Sequence, residues 1–98
     1  MNFVDETVAE EIERILTSSG KIKILRLLMK FPNHAFTRYE IGKKTPLSQK
    51  DITRDLDTLV KKQWITETQL QHLRKYSINL DNELTHQFFE FFRKIKYV

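Results

Sequence analysis

Apolar residues recur along this chain at two different periods, and the change of period divides it. Val8, Ile12, Ile15 and Leu16 share one face at helical spacing and predict a first helix over 4–16. Ser18-Ser19-Gly20 interrupts that helix and offers a cap for the next. The second, over 21–31, carries Ile24, Leu25, Leu27, Leu28 and Phe31, an apolar arc wide enough for a central core helix. Pro32-Asn33 stops it, and Ala35-Phe36 predicts a very short strand. Thr37 with Glu40 three residues on has capping-box spacing, opening a short helix over 38–44. In it Ile41 points inward, and Gly42 permits a neighbouring helix to come close. Thr45-Pro46-Leu47 makes a turn and Ser48 caps a helix over 49–63, whose buried stripe is Ile52, Leu56, Leu59 and Val60. From Trp64 the period falls to two. Segments 64–70 and 75–80 read as strands, with Tyr76, Ile78 and Leu80 alternating. Their connection, 71–74, lacks the Asn-Gly or Gly-Gly signal of a tight hairpin. Asp81 or Asn82 caps a last helix ending near Lys96.

The resulting order, α-α-(β)-α-α-β-β-α, is a mainly α chain with a small β-hairpin, of α+β class. Helix, tight turn, second helix and two short strands form the plan of a winged helix-turn-helix, a module whose second helix can enter a DNA groove. The chain reads as one such domain over 1–98, with no repeat or low-complexity segment. Its terminal helices, within 1–17 and 81–98, are left for dimerisation.

Charge sharpens this plan. The net charge of the 98 residues is +4, but Asp5, Glu6, Glu10, Glu11 and Glu13 face only Arg14 in the first sixteen, so the remainder carries the whole positive excess. A basic body behind an acidic leading helix suits a polyanion approached from one side, although ordinary charge variation in a soluble protein gives the same balance. The absence of cysteine removes disulfides, thiolate metal sites and thiol nucleophiles, and points to a reducing, cytoplasmic compartment. No apolar run reaches the roughly 20 residues of a membrane span, and the acidic start is unlike a signal peptide.

The 49–63 helix carries the candidate chemistry. At about 100° per residue, Lys50, Arg54 and Lys61 line up opposite the buried stripe, and Asp51 and Asp55 form a neighbouring acidic row. Like charges four apart repel, so stability alone would have mixed the signs. Segregated rows suit an edge that faces phosphates, while a solvated charged face is the plainer alternative. In helix-turn-helix docking the first residues of the second helix meet base edges, which selects Ser48, Gln49, Lys50, Thr53 and Arg54. Gln pairs with adenine, Lys and Arg with guanine, and Thr with thymine. Arg54 is the first choice for a specificity contact; Thr53 lies near the buried stripe and reads equally as a packed residue. Thr37, Arg38 and Tyr39, at the start of the preceding helix, could hold a phosphate. His72, Arg74 and Lys75 in the wing could reach a minor groove or flanking backbone.

These residues carry a resemblance. The chain resembles the ArsR/MarR-like winged helix-turn-helix transcriptional regulators, including small archaeal ones, from GKIKILRLLMKF through FTRYEIGKKTPLSQKDITRDLDTLVKKQWI to RKYSINLDNE, over roughly residues 19–90. Ile41, Leu47, Ser48, Ile52, Leu56, Leu59 and Ile65 are similar to that family's core and turn signature. The resemblance implies operator binding as a homodimer through the terminal helices. It also shows departures. Gln63 stands where many members carry glycine, and Gly42 where alanine is common. Metal-sensing members use cysteines or a His/Asp/Glu set on the last helix, a spacing that Asp81, His86 and Glu90 do not repeat, so no metal or other cofactor is expected. His34, His72 and His86 read as surface residues.

The last helix bears directly on dimerisation. Leu84, Phe88, Phe91 and Ile95 share one face, Phe92 widens it, and Phe89 lies well round the cylinder. This is more aromatic surface than one small core covers, and exposed it would drive association. An isologous interface of Val8 and Ile12 with Leu84, Phe88, Phe89, Phe92 and Ile95 is the expected solution, the alternative being a monomer core under the first helix. Two recognition helices would then lie about 34 Å apart, one duplex turn. The leading expectation is a homodimeric regulator of double-stranded DNA, with any small-molecule effector unspecified. A winged-helix protein-interaction scaffold is the second reading. No Gly-rich phosphate loop or nucleophile–base set appears, so an enzyme is not expected.

Overall fold

The computed structural model describes residues 6–98. In it α1 (Glu6–Leu16), α2 (Ser19–Lys30), α3 (Arg38–Lys44), α4 (Gln49–Lys61), β1 (Ile65–Leu70), β2 (Leu73–Ile78) and α5 (Glu83–Lys94) follow one another in the order read from the sequence. Val4 and Asp5, expected to open the first helix, lie outside the described residues.

Side-chain caps set the helix starts. Ser18 accepts from the Lys21 amide and Ser48 from the Asp51 amide. Thr37 and Glu40 form the full reciprocal capping box, the Thr37 amide donating to Glu40 Oε1 at 2.9 Å and the Glu40 amide to Thr37 Oγ1 at 3.1 Å. Asn82, not Asp81, caps α5, accepting from the amides of Leu84 and Thr85. Each cap satisfies helix-end donors that would otherwise go unpaired and stabilises by about 1 kcal/mol.

The core is built around α2, whose Ile24, Leu25 and Leu28 are buried against Ile41 of α3 and against Ile52, Leu56 and Leu59 of α4. Removing such a side chain from water is worth about 1.5–3 kcal/mol. Trp64, fully buried just past α4, donates its indole N–H to Glu11 of α1 and stacks on Phe88 of α5 at 5.6 Å. That tie draws both terminal helices onto the central body. Phe36 pairs with Tyr76 through two backbone hydrogen bonds of 2.7 and 2.8 Å, so the very short third strand is present as an isolated bridge.

Three boundaries differ from expectation. The hairpin connection is Gln71-His72 alone, because β2 begins at Leu73 and Leu70 pairs with Leu73. Gln71 takes the left-handed φ of 56° normally left to glycine in such a turn, which is why no glycine signal announced it. The α4 helix ends at Lys61 rather than Gln63, since Gln63 also turns left-handed, at φ 63°. Its carbonyl there accepts from the side chains of Asn79 and Asn82, which hold the turn without glycine. At the far end α5 stops at Lys94. Lys96 reverses the chain at φ 62°, and Tyr97 returns to α2, its carbonyl accepting from Arg26 Nε at 2.9 Å.

The faces of the aromatic helix fall as read, and one interface residue does not. Phe89 is buried with Thr85 and belongs to the protomer core, so it is withdrawn from the interface residues. On the helical projection it lies beside Thr85, a polar residue that masked the inward face. Phe91 and Ile95, read on one face with Leu84 and Phe88, are exposed, with Leu84, Phe88 and Phe92 half-buried beside them.

Left-handed backbone costs a residue with a Cβ about 1 kcal/mol or more. Gln63→Gly keeps the carbonyl that Asn79 and Asn82 use. It is expected to stabilise the protein by about 0.5–1 kcal/mol, read as a raised urea midpoint with an unchanged slope.

Candidate nucleic-acid interface

The α4 helix presents Gln49, Lys50, Thr53 and Arg54 to solvent, so Thr53 is an exposed residue of this edge and not a packed one. Lys50 forms no ion pair or hydrogen bond with the described residues and is the unencumbered cation here. Arg54 is held. Its Nε lies 3.1 Å from Asp55 Oδ1, and its Nη1 lies 3.3 Å from Asp51 Oδ1. The Asp55 carboxylate beside it raises its pKa and keeps it charged.

Asp55 corrects the reading of an outward-facing acidic row. It is fully buried, and Lys21 Nζ reaches it from α2 at 3.2 Å. A Cβ on Gly20 would collide with this carboxylate, so the glycine allows the close approach. On a helical projection Asp55 stands only about 40° from Leu59, at the margin of the buried stripe. That angle was the available signal for its burial, and Lys21 as its partner was not signalled at all.

Two other base-reading candidates are committed elsewhere. The Ser48 hydroxyl accepts from the Asp51 amide at 3.1 Å, so it serves as the cap. The Gln49 side-chain amide donates to the Arg38 carbonyl at 3.2 Å and occupies the space that a Cβ on Gly42 would take. This accounts for glycine at position 42: it lets Gln49 tie the start of α4 to the start of α3.

A groove of ≈ 500 Å³ opens between the start of α3 and the hairpin, lined by Thr37, Arg38, Tyr39, His72, Leu73 and Arg74. Five of these are candidates named from sequence, brought together from segments more than thirty residues apart. Tyr39 is 67% exposed and lies under Lys43, whose Nζ is 5.0 Å from the ring centroid. Arg38 Nε is buried without a hydrogen-bond partner, and so is the hydroxyl of Tyr76. Burial pushes the Tyr76 phenol above its usual pKa, against the pull of Arg38. Lys75 is the exception among the wing candidates: strand alternation sends it to the other face of the hairpin from Arg74 and Tyr76. His34 is not isolated, since it lies 3.6 Å from Glu40 and packs edge-on against Phe36. His86 is exposed, 3.5 Å from Glu90.

Among the described residues no group of three His, Asp or Glu side chains could hold a metal ion, and no helix is long and apolar enough to cross a membrane. Capped tri-helical body, exposed α4 edge and two-stranded wing together define a winged helix-turn-helix protein, with the fold of ArsR/MarR-like regulators. Solved structures bear this out. HlyU from Vibrio cholerae N16961 is 13% identical with a TM-score of 0.73, over 94% of this chain and 97% of that one. A predicted DNA-binding transcriptional regulator from E. coli is 18% identical with a TM-score of 0.71, over 89% and 87%. The homodimeric winged helix-turn-helix DNA-binding domain of Mb0332 from Mycobacterium bovis, a possible ArsR-family regulator, is 15% identical with a TM-score of 0.66, over 98% and 90%. At these identities the likeness is one of fold, and it lends the expected archaeal type no support. No protein-family model and no curated protein matches the chain.

The buried ion pair gives the first prediction for this site. Lys21→Met leaves a fully buried carboxylate with only a surface arginine for company, and is expected to cost about 3 kcal/mol in urea unfolding.

The capping box gives the second. The Thr37 amide, foremost, holds the Glu40 carboxyl below its ordinary 4.5, against the opposing effect of desolvation and with the Thr37 hydroxyl and His34 helping. A depressed carboxylate contributes stability that is present above its unfolded pKa and is lost as pH falls through its folded pKa. Glu40→Gln keeps a capping-box acceptor without the charge. The wild-type advantage over this variant is therefore expected at neutral pH and should vanish on acidification, followed by urea midpoints measured down to a pH of about 3.

Proposed function

We propose that the protein is a sequence-specific transcriptional regulator of double-stranded DNA that acts as a homodimer in the cytoplasm. The carrying observation is the groove in which Thr37, Arg38 and Tyr39 of the α3 start meet His72 and Arg74 of the wing, joined to the α4 edge by the Gln49–Arg38 hydrogen bond. In this reading α4 enters the major groove with Lys50, Thr53 and Arg54 foremost. Arg38 and Arg74 grip a flanking phosphate strand. Ser48, Gln49 and Thr37 act by holding the two helix starts in place. The DNA-binding descriptions of the E. coli and Mycobacterium bovis neighbours support this use of the fold.

The homodimer rests on the terminal helices. Phe91 and Ile95 are each more than half exposed, and Leu84, Phe88 and Phe92 continue the same apolar face of α5. Val8 and Ile12 of α1 are half-buried and offer a second apolar strip. The homodimeric state described for the Mb0332 domain supports a paired assembly.

Phosphate contacts release counterions, so affinity falls steeply with salt. Lys50→Ala removes a cation with no structural partner. It is expected to weaken duplex binding by about tenfold at low salt and to flatten the salt slope by about one, measured by fluorescence anisotropy at several salt concentrations. A footprint of two half-sites one helical turn apart is the expected mark of the dimer. Absence of binding to any duplex at low salt overturns the proposal and leaves a protein-interaction scaffold.

A further inference from the structure

Asp51 stands half-exposed on the edge of α4 that is read as facing DNA, where a surface built only for affinity would carry no acid, and the fully buried Asp55 reaches out to the same edge's arginine. Both hold the same side chain. Arg54 Nε lies 3.1 Å from Asp55 Oδ1, its Nη2 lies 3.5 Å from Asp55 Oδ2, and its Nη1 lies 3.3 Å from Asp51 Oδ1. A guanidinium has five N–H donors in a rigid plane. Asp55 takes one donor each from Nε and Nη2, Asp51 lies beside Nη1 as an ion partner without a hydrogen bond, and Nη1 and Nη2 keep a pair of donors on a side chain that remains 62% exposed. The inner carboxylate projects little charge of its own, because Lys21 neutralises Asp55 from behind at 3.2 Å.

We propose that Asp51 and Asp55 are specificity-determining positioning residues: they fix the Arg54 guanidinium in one orientation, so that its remaining pair of N–H donors addresses a single guanine. The proposal rests on the DNA-binding reading above. An unrestrained arginine on an exposed helix samples many rotamers and satisfies itself on any nearby phosphate. A restrained one offers a fixed fork, which matches the O6 and N7 acceptors of guanine and meets the amino group of adenine as a clash of donors. Asp51 also repels phosphates that approach off-register, so discrimination rises at some expense of general affinity.

The test uses the whole protein and a random-sequence duplex library. Selection by the wild type is expected to yield a duplex with a guanine in each half-site, whose replacement by adenine weakens binding by about tenfold or more. Arg54→Lys should abolish that preference, since an ammonium cannot make the forked contact. Asp51 is half-exposed and its carboxylate bears no core load, so Asp51→Asn is the decisive variant. It is expected to cut the guanine preference to about threefold or less and to tighten binding to unselected duplex by about two- to threefold at the same salt. A residue of purely structural importance would lower affinity for all duplexes alike. Full guanine preference in Asp51→Asn overturns the proposal, and so does an Arg54→Lys protein that keeps it. A wild type that binds no duplex at all overturns the DNA-binding reading instead.

Discussion

The carboxylate of Asp55 is the constraint from which the geometry of α4 follows. A buried charge is tolerated only with partners, and those partners come from two directions: Lys21 from the first turn of α2 and Arg54 from its own helix. Apolar packing between α2 and α4 is strong but non-directional, and Ile24, Leu28, Ile52 and Leu56 would accept small rotations of one helix on the other. An ion pair of fixed length does not. Gly20 belongs to the same device, because only a residue without a Cβ lets the carboxylate settle against the start of α2. The helix that carries Lys50 and Arg54 is thereby locked in rotation about its own axis, which is the degree of freedom that decides which side chains reach outward.

The remaining ties work outward from that lock. Gln49 fastens the start of α4 to the start of α3 over Gly42, and the Phe36–Tyr76 bridge fastens the segment before α3 to the wing. Arg38 and Arg74 consequently face one groove although they belong to different elements. On the opposite side Trp64 holds Glu11 and Phe88, so one buried indole ties both terminal helices to the end of α4, beside the packing of Ile15 and Phe89 in the core.

Much of this was legible in the sequence, for reasons that differ residue by residue. Caps and periodicity act locally, so Ser48, the Thr37–Glu40 box and the stripe from Ile52 to Leu59 were readable without tertiary knowledge. Gln63 was readable as an anomaly, and its left-handed φ is the anomaly's physical content. The two-residue turn at Gln71 was not, because its sequence carries none of the residues that make such turns easy. Nor was the inward side of α5, since Thr85 is polar and Phe91 is not, while the fold buries the first and exposes the second. The Lys21–Asp55 pair spans thirty-four residues and leaves no local trace. Among the candidate contact residues, type and position were legible, but the division between free and committed side chains was a matter of hydrogen bonds formed elsewhere.

That division has a physical logic. Polar side chains nearest the helix starts are the ones within reach of unpaired backbone amides, so Thr37 and Ser48 are drawn into caps, and Gln49 is drawn to the nearest free carbonyl. Away from the helix starts the backbone amides are already paired within the helix, and long charged side chains there turn to other side chains or to solvent. Lys50, with no acid in reach, is left to solvent. Arg54, with an acid on either side, is left oriented. The same chemistry that stabilises the helix-turn-helix therefore also decides which of its residues remain available. It leaves Lys50 and Arg54 exposed on α4, while the hairpin is closed by two residues with Gln71 in the left-handed region.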